Sequence, residues 1–315
     1  MSSIFTISIV QRALELGCIY ALVALALFIS FSILNIADLS TDGCFTLGCA
    51  VGAMVTLSGH PFLALFAAMG AGICSGFITA FLQTKMGVPS ILAGIIVNTG
   101  LYTINIAVMD FSSMVNLFAC DTMFSLAQDV TDASWYQDWY KFLIAFLIVV
   151  LVGILLVWFL NTRLGLSIRA TGDNEYMVRA SSINPTFMIT VGLCVANALT
   201  GLSGAILGQY QKSCDINLGT GMVTIALASL IIGETLIGKG SILKKVIGVV
   251  LGSCLYRFIV SIALRMNVPA EALKLVSAII VAVAISFPYL KEKAGFYKQK
   301  SVSMRMNKKG GGSIC

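Results

Sequence analysis

The chain has 315 residues, of which 58% are hydrophobic and only 11% are charged, and its mean hydropathy is +0.95. A soluble domain carries about 25% charged residues, so this composition excludes a soluble enzyme, a disordered chain and a collagen-like chain. The net charge is +6. We interpret the excess as a determinant of membrane topology and of contact with anionic membrane lipid, and we expect no nucleic-acid partner.

Apolar stretches of bilayer-spanning length predict an all-α polytopic membrane protein. A span requires about 20 mostly apolar residues. The predicted spans are 16–34, 61–84, 86–109, 142–162, 180–211, 216–233, 246–264 and 275–290. The stretch 43–59 is short and rich in glycine, which predicts either a further span or a broken, partly re-entrant helix. The predicted count is therefore nine, with eight as the alternative.

The distribution of lysine and arginine predicts the orientation, because basic loops stay on the cytoplasmic side. With nine spans, seven basic residues lie in the loops of one side and seven more lie in residues 291–315, against five on the opposite side. We therefore expect residues 1–290 to form a membrane domain whose N-terminus lies outside. Residues 291–315 are expected to form a basic cytoplasmic tail. No cleavable signal peptide is expected, since the first apolar run is too long and has no basic flank.

A few polar side chains interrupt the predicted spans, and such residues indicate functional sites by default because they are costly in a bilayer. Asn98 and Asn105 are seven residues apart and share a helix face, so they either line a pathway or bond a neighbouring helix. Glu234 and Arg257 either line a pathway or extend into the headgroups. The candidate translocation-pathway residues are Asn98, Asn105, Asn197, Glu234 and Arg257.

Two patterns in the sequence resemble those of membrane enzymes. Residues 201–204 read GLSG, like an intramembrane serine protease, but the single histidine, His60, is far away in sequence, so helix packing is favoured. Asp38 and Asp42 lack a second acidic cluster with which to hold a metal, so a loop or capping role is favoured. No metal site or catalytic residue is predicted.

The nine cysteines contain no CxxC pattern, so a metal cluster is not expected. Cys120 and Cys214 fall on the same predicted outer side, which leaves a disulfide between them open. The phosphate-binding pattern GxxxxGK[ST] is absent. We therefore expect no cofactor on this chain, and any ATP would be bound by a partner.

One predicted cytoplasmic connection, residues 163–184, is compact and ordered. Asp173 stands before a run of helix formers, which predicts a capped short helix lying parallel to the membrane. A plain connection needs neither the cap nor the helix, whereas a soluble partner can grip such a helix. The pattern therefore predicts a docking site.

Three segments resemble a family of transporters. Residues 169–184 read RATGDNEYMVRASSIN and residues 197–205 read NALTGLSGA, and both resemble patterns of ABC importer permeases of the branched-chain amino acid and ribose type. Residues 33–50, ILNIADLSTDGCFTLGCA, resemble a subgroup associated with uptake of tryptophan, tyrosine and related amino acids. The resemblance covers roughly residues 10–290. Val178 and Ser182 depart from it, since the smaller Ala and Gly are commoner there.

The resemblance implies the permease subunit of an ATP-driven importer in a bacterial-type inner membrane, passing an aromatic or branched-chain amino acid into the cytoplasm. It also implies a homodimer, a cytoplasmic ABC ATPase that binds the ATP, and an extracytoplasmic substrate-binding protein. The residues expected to couple to the ATPase are Arg169, Gly172, Asp173, Asn174, Met177, Val178, Ala180 and Ile183.

A secondary solute transporter is the alternative interpretation, and a membrane-embedded enzyme is a less favoured one. The glycine-rich segments 43–58 and 219–238 run in opposite directions in the predicted topology. This pattern suggests the inverted repeat on which many transporters are built.

Overall fold

A computed structural model describes residues 7–128, 134–238 and 240–265, together with six isolated positions between 275 and 286. The predicted last span, 275–290, and the predicted basic tail, 291–315, lie outside these continuous ranges.

The described residues form eleven helices and one short two-stranded ribbon. The first helix, α1 (Ile7–Leu27), continues as a π-helix over Phe28–Ile33. The strands are β1 (Met114–Asn116) and β2 (Ser213–Asp215). The helices are α1 (Ile7–Leu27), α2 (Thr41–Leu57), α3 (Pro61–Thr84), α4 (Ser90–Val108), α5 (Met123–Gln128), α6 (Ser134–Asn161), α7 (Arg163–Asp173), α8 (Glu175–Ala180), α9 (Pro185–Gln211), α10 (Met222–Ile237) and α11 (Ile242–Arg265).

Within the described ranges, six helices are long and apolar enough to cross a membrane: those containing Ile9–Ile33, Pro61–Thr84, Ser90–Val108, Trp139–Asn161, Pro185–Gln211 and Ile242–Leu264. This confirms an all-α polytopic membrane protein. Helices α2 and α10 have 17 and 16 residues and are shorter than these six. The count of nine spans stays a prediction, and so does the choice between a full span and a re-entrant helix for α2. For 216–233 the predicted start is wrong, because residues 216–221 form turns and the helix begins at Met222.

Helix α9 lies at the centre of the bundle and packs against α1, α2 and α3 through small residues. A Cβ atom at Gly48 would lie 2.2 Å from the Gly201 carbonyl oxygen, and one at Gly72 would lie 2.2 Å from that of Asn197. Such contacts allow helix backbones to approach closely, which is the usual way that helices associate in a bilayer. Ser203 adds a hydrogen bond to the Ile19 carbonyl at 2.7 Å, which joins α9 to α1.

Two ends of the bundle can be distinguished by what lies there. At the ribbon end, β1 and β2 pair antiparallel with Met114 opposite Asp215. At the opposite end, here called the α7 end, a Cβ atom at Gly172 of α7 would lie 1.8 Å from the Ile33 carbonyl oxygen. Helix α1 therefore ends at the α7 end, while α9 runs the other way and leads into β2.

Helices α2 and α10 both start in the middle of the bundle and run to opposite ends. Cys44 donates to the Asn197 carbonyl near the middle of α9, and Gly52 approaches Ala205 further along, so α2 runs parallel to α9 towards the ribbon end. Helix α10 reaches the α7 end, where Ser32 of the π-helix that follows α1 donates to Glu234 at 2.7 Å.

The path of the chain therefore repeats with inverted direction. Helix α1 crosses to the α7 end, residues 34–40 turn back into the bundle, and α2 leaves towards the ribbon end. Helix α9 crosses to the ribbon end, residues 212–221 turn back, and α10 leaves towards the α7 end. This is the inverted arrangement that the two glycine-rich segments suggested, and the beginnings of the two short helices meet inside the bundle.

Candidate functional site

Asp42 joins the two short helices where they begin. It lies in the first turn of α2, and its carboxylate accepts hydrogen bonds from the backbone N–H groups of Gly221 and Val223 at the start of α10, each at 2.9 Å. Gly221 adopts a φ of +86°, a conformation that L side chains rarely take. Unpaired N–H groups at a helix start attract a negative charge. The predicted capping role of Asp42 is therefore confirmed, with the difference that the capped helix is 179 residues away.

A cavity of about 410 Å³ lies beside this junction. Its walls come from α2, α4 and the turns that precede α10, and nine of its twelve lining residues carry a polar side chain. The lining residues are Asp42, Gly43, Thr46, Asn98, Thr99, Tyr102, Thr103, Asn105, Ile216, Asn217, Gly219 and Thr220.

Asn98 and Asn105, predicted from one helix face, both line this cavity. Asn105 is 1% exposed, and its side-chain nitrogen donates to the Gly43 carbonyl at 3.1 Å. Its Oδ1 atom has no hydrogen-bond partner in the described part of the chain. Asn98 faces Gly43 too, since a Cβ atom there would lie 2.6 Å from the Asn98 Oδ1 atom. Asn105 therefore bonds a neighbouring helix, which is one of its two predicted roles, and its place in a translocation pathway stays a prediction.

Asn197 lies in the protein interior and does not line the cavity. Its side chain donates to the Asp38 carboxylate at 3.0 Å, and Asp38 also accepts from the Ser40 hydroxyl at 2.6 Å and the Ser40 backbone N–H at 2.9 Å. Asp38 is only 2% exposed. These bonds hold the re-entrant segment 34–40 against the middle of α9, as the predicted loop role of Asp38 requires.

Glu234 and Arg257 are also separate from the cavity. Glu234 is partly buried at the α7 end and accepts from Ser32. The Arg257 guanidinium carbon lies 3.5 Å from the centre of the Tyr20 ring, a cation–π contact that joins α11 to α1. Both charges thus connect helices in the described structure.

A buried charge that the sequence did not single out is Glu15, which is 3% exposed. Its carboxylate accepts from the Tyr210 hydroxyl at 2.7 Å and from the Gln11 side chain at 3.0 Å. The predicted first span started at residue 16 because a charge stands at 15. The helix itself begins at Ile7, so this turn is part of the bundle.

The predicted docking connection forms two helices at the α7 end. Gly172 of α7 packs on Ile33, and its carbonyl accepts from the Asn35 side chain at 2.9 Å. Asn35 stands at the start of the re-entrant segment that carries Asp38. A physical path of direct contacts therefore leads from α7 to the start of α2.

Helix α8 presents an exposed surface. The cap differs from the predicted one: Asn174, not Asp173, accepts from the Met177 backbone N–H at 3.1 Å. Met177 is 69% exposed, whereas Val178 is 3% exposed and anchors the helix. Among the other predicted coupling residues, Asp173, Asn174 and Ala180 are exposed, and Arg169, Gly172 and Ile183 are half-buried.

The residues of the enzyme-like patterns make structural hydrogen bonds. Ser203 donates to Ile19, and the His60 ring lies 3.0 Å from the Ser58 carbonyl, so neither residue forms a nucleophile–base pair. Cys120 and Cys214 are free thiols, so the disulfide left open by the sequence is absent. The Cys214 thiol instead forms a hydrogen bond with the Cys49 thiol.

Comparison with known proteins agrees with this architecture. The family described as the branched-chain amino acid transport system permease component matches residues 9–285. The chain belongs to this permease family.

Several bacterial proteins are similar over most of their length. The tyrosine transport system permease protein of Clostridioides difficile (strain R20291) is 31% identical over 84% of this chain and 85% of its own. The ribose import permease protein of Escherichia coli (strain K12) is 23% identical over 89% and 85%. The guanosine ABC transporter permease protein of Bacillus subtilis (strain 168) is 24% identical over 78% and 70%. No solved structure matches the chain significantly.

This family membership, together with the six apolar helices, makes the chain the permease component of an ABC-type transport system for small solutes. It is a transport subunit rather than an enzyme, and it crosses the bacterial cell membrane several times.

Proposed function

We propose that this permease passes an amino acid, aromatic or branched-chain, from an extracytoplasmic binding protein into the cytoplasm, driven by a partner ATPase. The chain itself would bind no cofactor, and the partner would hold the ATP. The observation that carries the proposal is the cavity at the junction of α2 and α10, which direct contacts link to the exposed helix α8. The similarity to a tyrosine transport system permease supports the substrate class.

The surroundings of the cavity support a homodimer with the pathway between its two copies. Tyr102 is 50% exposed, and Thr99, Thr103, Asn217 and Thr220 around it are also exposed in the single chain. This polar surface lies near the middle of α4, at a depth where lipid cannot satisfy polar groups. A water-filled pathway shared with a second copy would satisfy them.

Helices α7 and α8 have the shape and contacts expected of the ATPase-coupling element. Tyr176 and Met177 project from α8 with 84% and 69% of their surface exposed. A displacement of α7 would move Asn35 and the re-entrant segment through the bond at Gly172. The start of α2, which carries Asp42, follows that segment, so movement of the partner would reach the cavity. The basic tail would add contact with anionic membrane lipid.

The docking surface is tested by uptake of radiolabelled L-tyrosine in cells whose own copy of the gene is replaced. Asp173→Arg combined with Met177→Glu should lower uptake at least tenfold, because the two substitutions change the charge of the surface that the ATPase would contact. Both side chains are exposed, so the protein should still fold. Met86→Glu is the matched control, since Met86 is 62% exposed on the α3–α4 connection at the same end.

Both proteins must be quantified in the membrane fraction. Undiminished uptake by the double variant, at normal membrane content, would show that α8 is not where the ATPase acts.

A further inference from the structure

Asp42 and Asn105 bring hydrogen-bond acceptors to the lining of the cavity beside α2 and α10. Asp42 contributes a carboxylate that retains free lone pairs after accepting from Gly221 and Val223. Thr46 is already committed, since its hydroxyl donates to the Asp42 carbonyl and accepts from the Gly219 N–H. No lysine or arginine lines the cavity in the described part of the chain.

Asn105 supplies the acceptor that has no partner. It is almost completely buried, yet its Oδ1 atom bonds no described group. The orientation of the amide is fixed by its neighbour, because turning it over would place Oδ1 against the Gly43 carbonyl, which now accepts from Nδ2. A buried acceptor left without a donor is rare and calls for an explanation. A donor on a visiting solute provides one.

We propose that this cavity binds the α-ammonium group of an amino acid, with the Asn105 Oδ1 atom and the Asp42 carboxylate as its acceptors. An ammonium offers three donors and a positive charge, and it has no acceptor of its own that the site would have to match. Tyr102 is a further lining residue of the cavity. The inference rests on the proposed function only in assuming that solute enters this cavity.

The binding should be weak, as a conduit requires. The positive ends of α2 and α10 both point at Asp42 and offset part of its charge. Asp42 alone would therefore hold an ammonium loosely, and the neutral Asn105 oxygen would add a second hydrogen bond of moderate strength. A solute that binds weakly at such a site can enter it and leave again.

Three probes that differ only in their charged groups test the inference on the full chain in lipid nanodiscs. They are L-tyrosine, tyramine, which lacks the carboxylate, and 3-(4-hydroxyphenyl)propionate, which lacks the amine. We expect equilibrium binding of L-tyrosine and tyramine, and binding of the propionate at least tenfold weaker. Equal binding of the propionate, or no binding of either amine, would overturn the inference.

A variant assigns the binding to this cavity. Asn105→Leu keeps the branched shape and the number of side-chain heavy atoms but removes the acceptor, together with the donor to Gly43, and should weaken binding of both amines by about ten- to hundredfold. Asn161→Leu is the control, because Asn161 is exposed and bonds only its own helix, at the Val157 carbonyl. Unchanged amine binding in a folded Asn105→Leu protein would contradict the assignment. If that variant does not fold, the three probes on the unaltered chain still decide.

The outcome separates this inference from the proposed function. Amine binding without L-tyrosine uptake in cells would leave the site standing and refute the transport proposal. If cells with the Asn105→Leu variant still took up L-tyrosine normally, the transport proposal would stand and the proposed ammonium site would be refuted.

Discussion

Asp38 illustrates how one buried carboxylate fixes a segment that has no helical structure of its own. It accepts from Ser40 twice and from the Asn197 side chain once. Removing it would take away the acceptor of three hydrogen bonds at a buried position. We expect Asp38→Ala to lower the free energy of unfolding by about 2 to 4 kcal/mol, because bonds to charged groups contribute about 1.5–3 kcal/mol each.

The pair can be tested by exchanging its members. Asp38→Asn alone should lower the free energy of unfolding, because its side-chain NH2 group would face the NH2 group of Asn197. Asp38→Asn with Asn197→Asp exchanges donor and acceptor and should recover much of the loss. Thermal unfolding of the four purified proteins in detergent measures the coupling as a double-mutant cycle. A double variant no more stable than the sum of its single variants predicts would show that the hydrogen bond contributes little.

At the scale of elements, the contact between α2 and α9 depends on glycine. A Cβ atom at Gly48 would collide with the Gly201 carbonyl oxygen, and backbone on both sides leaves little freedom to adjust. Gly48→Ala should therefore lower the free energy of unfolding by about 3 kcal/mol or more, at the upper limit of overpacking effects. Thermal unfolding of the purified protein provides the measurement.

Gly70→Ala is the matched control for that variant. Gly70 lies in α3, and a Cβ atom there would meet nothing within 4 Å. Because alanine favours the helix over glycine, this variant should be as stable as the unaltered protein or up to about 1 kcal/mol more stable. Similar losses at Gly48 and Gly70 would mean that helix–helix contact at Gly48 is looser than the structure shows.

The same elements show what the sequence could and could not predict. Hydropathy located α3 to the residue, Pro61–Thr84, because one uncharged stretch is one helix. It placed the start of α10 wrongly, since apolar residues that turn back inside a bundle have the composition of a span. The spacing of Asn98 and Asn105 predicted a shared face. The partners that make this face a site, Gly43 and Asp42, come from another helix, and local periodicity carries no information about such contacts.

At the scale of the whole molecule, the two ends differ in charge in the way that fixes membrane orientation. The α7 end carries Arg163, Arg169 and Arg179 on α7 and α8, and Lys85 on the α3–α4 connection. Among the described residues, the ribbon end holds fewer basic groups. Basic segments are retained in the cytoplasm, so the α7 end should be cytoplasmic and the ribbon end external.

Cysteine labelling with a membrane-impermeant maleimide tests this orientation. Met177→Cys on α8 should stay unlabelled in intact spheroplasts and react in inverted vesicles, whereas Phe118→Cys should do the opposite. Both positions are about 70% exposed, at 69% and 72%, so a difference in labelling reports the side of the membrane rather than local access. The unaltered chain, with its own free thiols, sets the background. Labelling of Met177→Cys from outside would show that the molecule has the opposite orientation in the membrane. The cavity would then still lie midway between the two surfaces, but α8 could not meet a cytoplasmic ATPase, and the proposed path of coupling through Gly172 and Asn35 would have no source of energy.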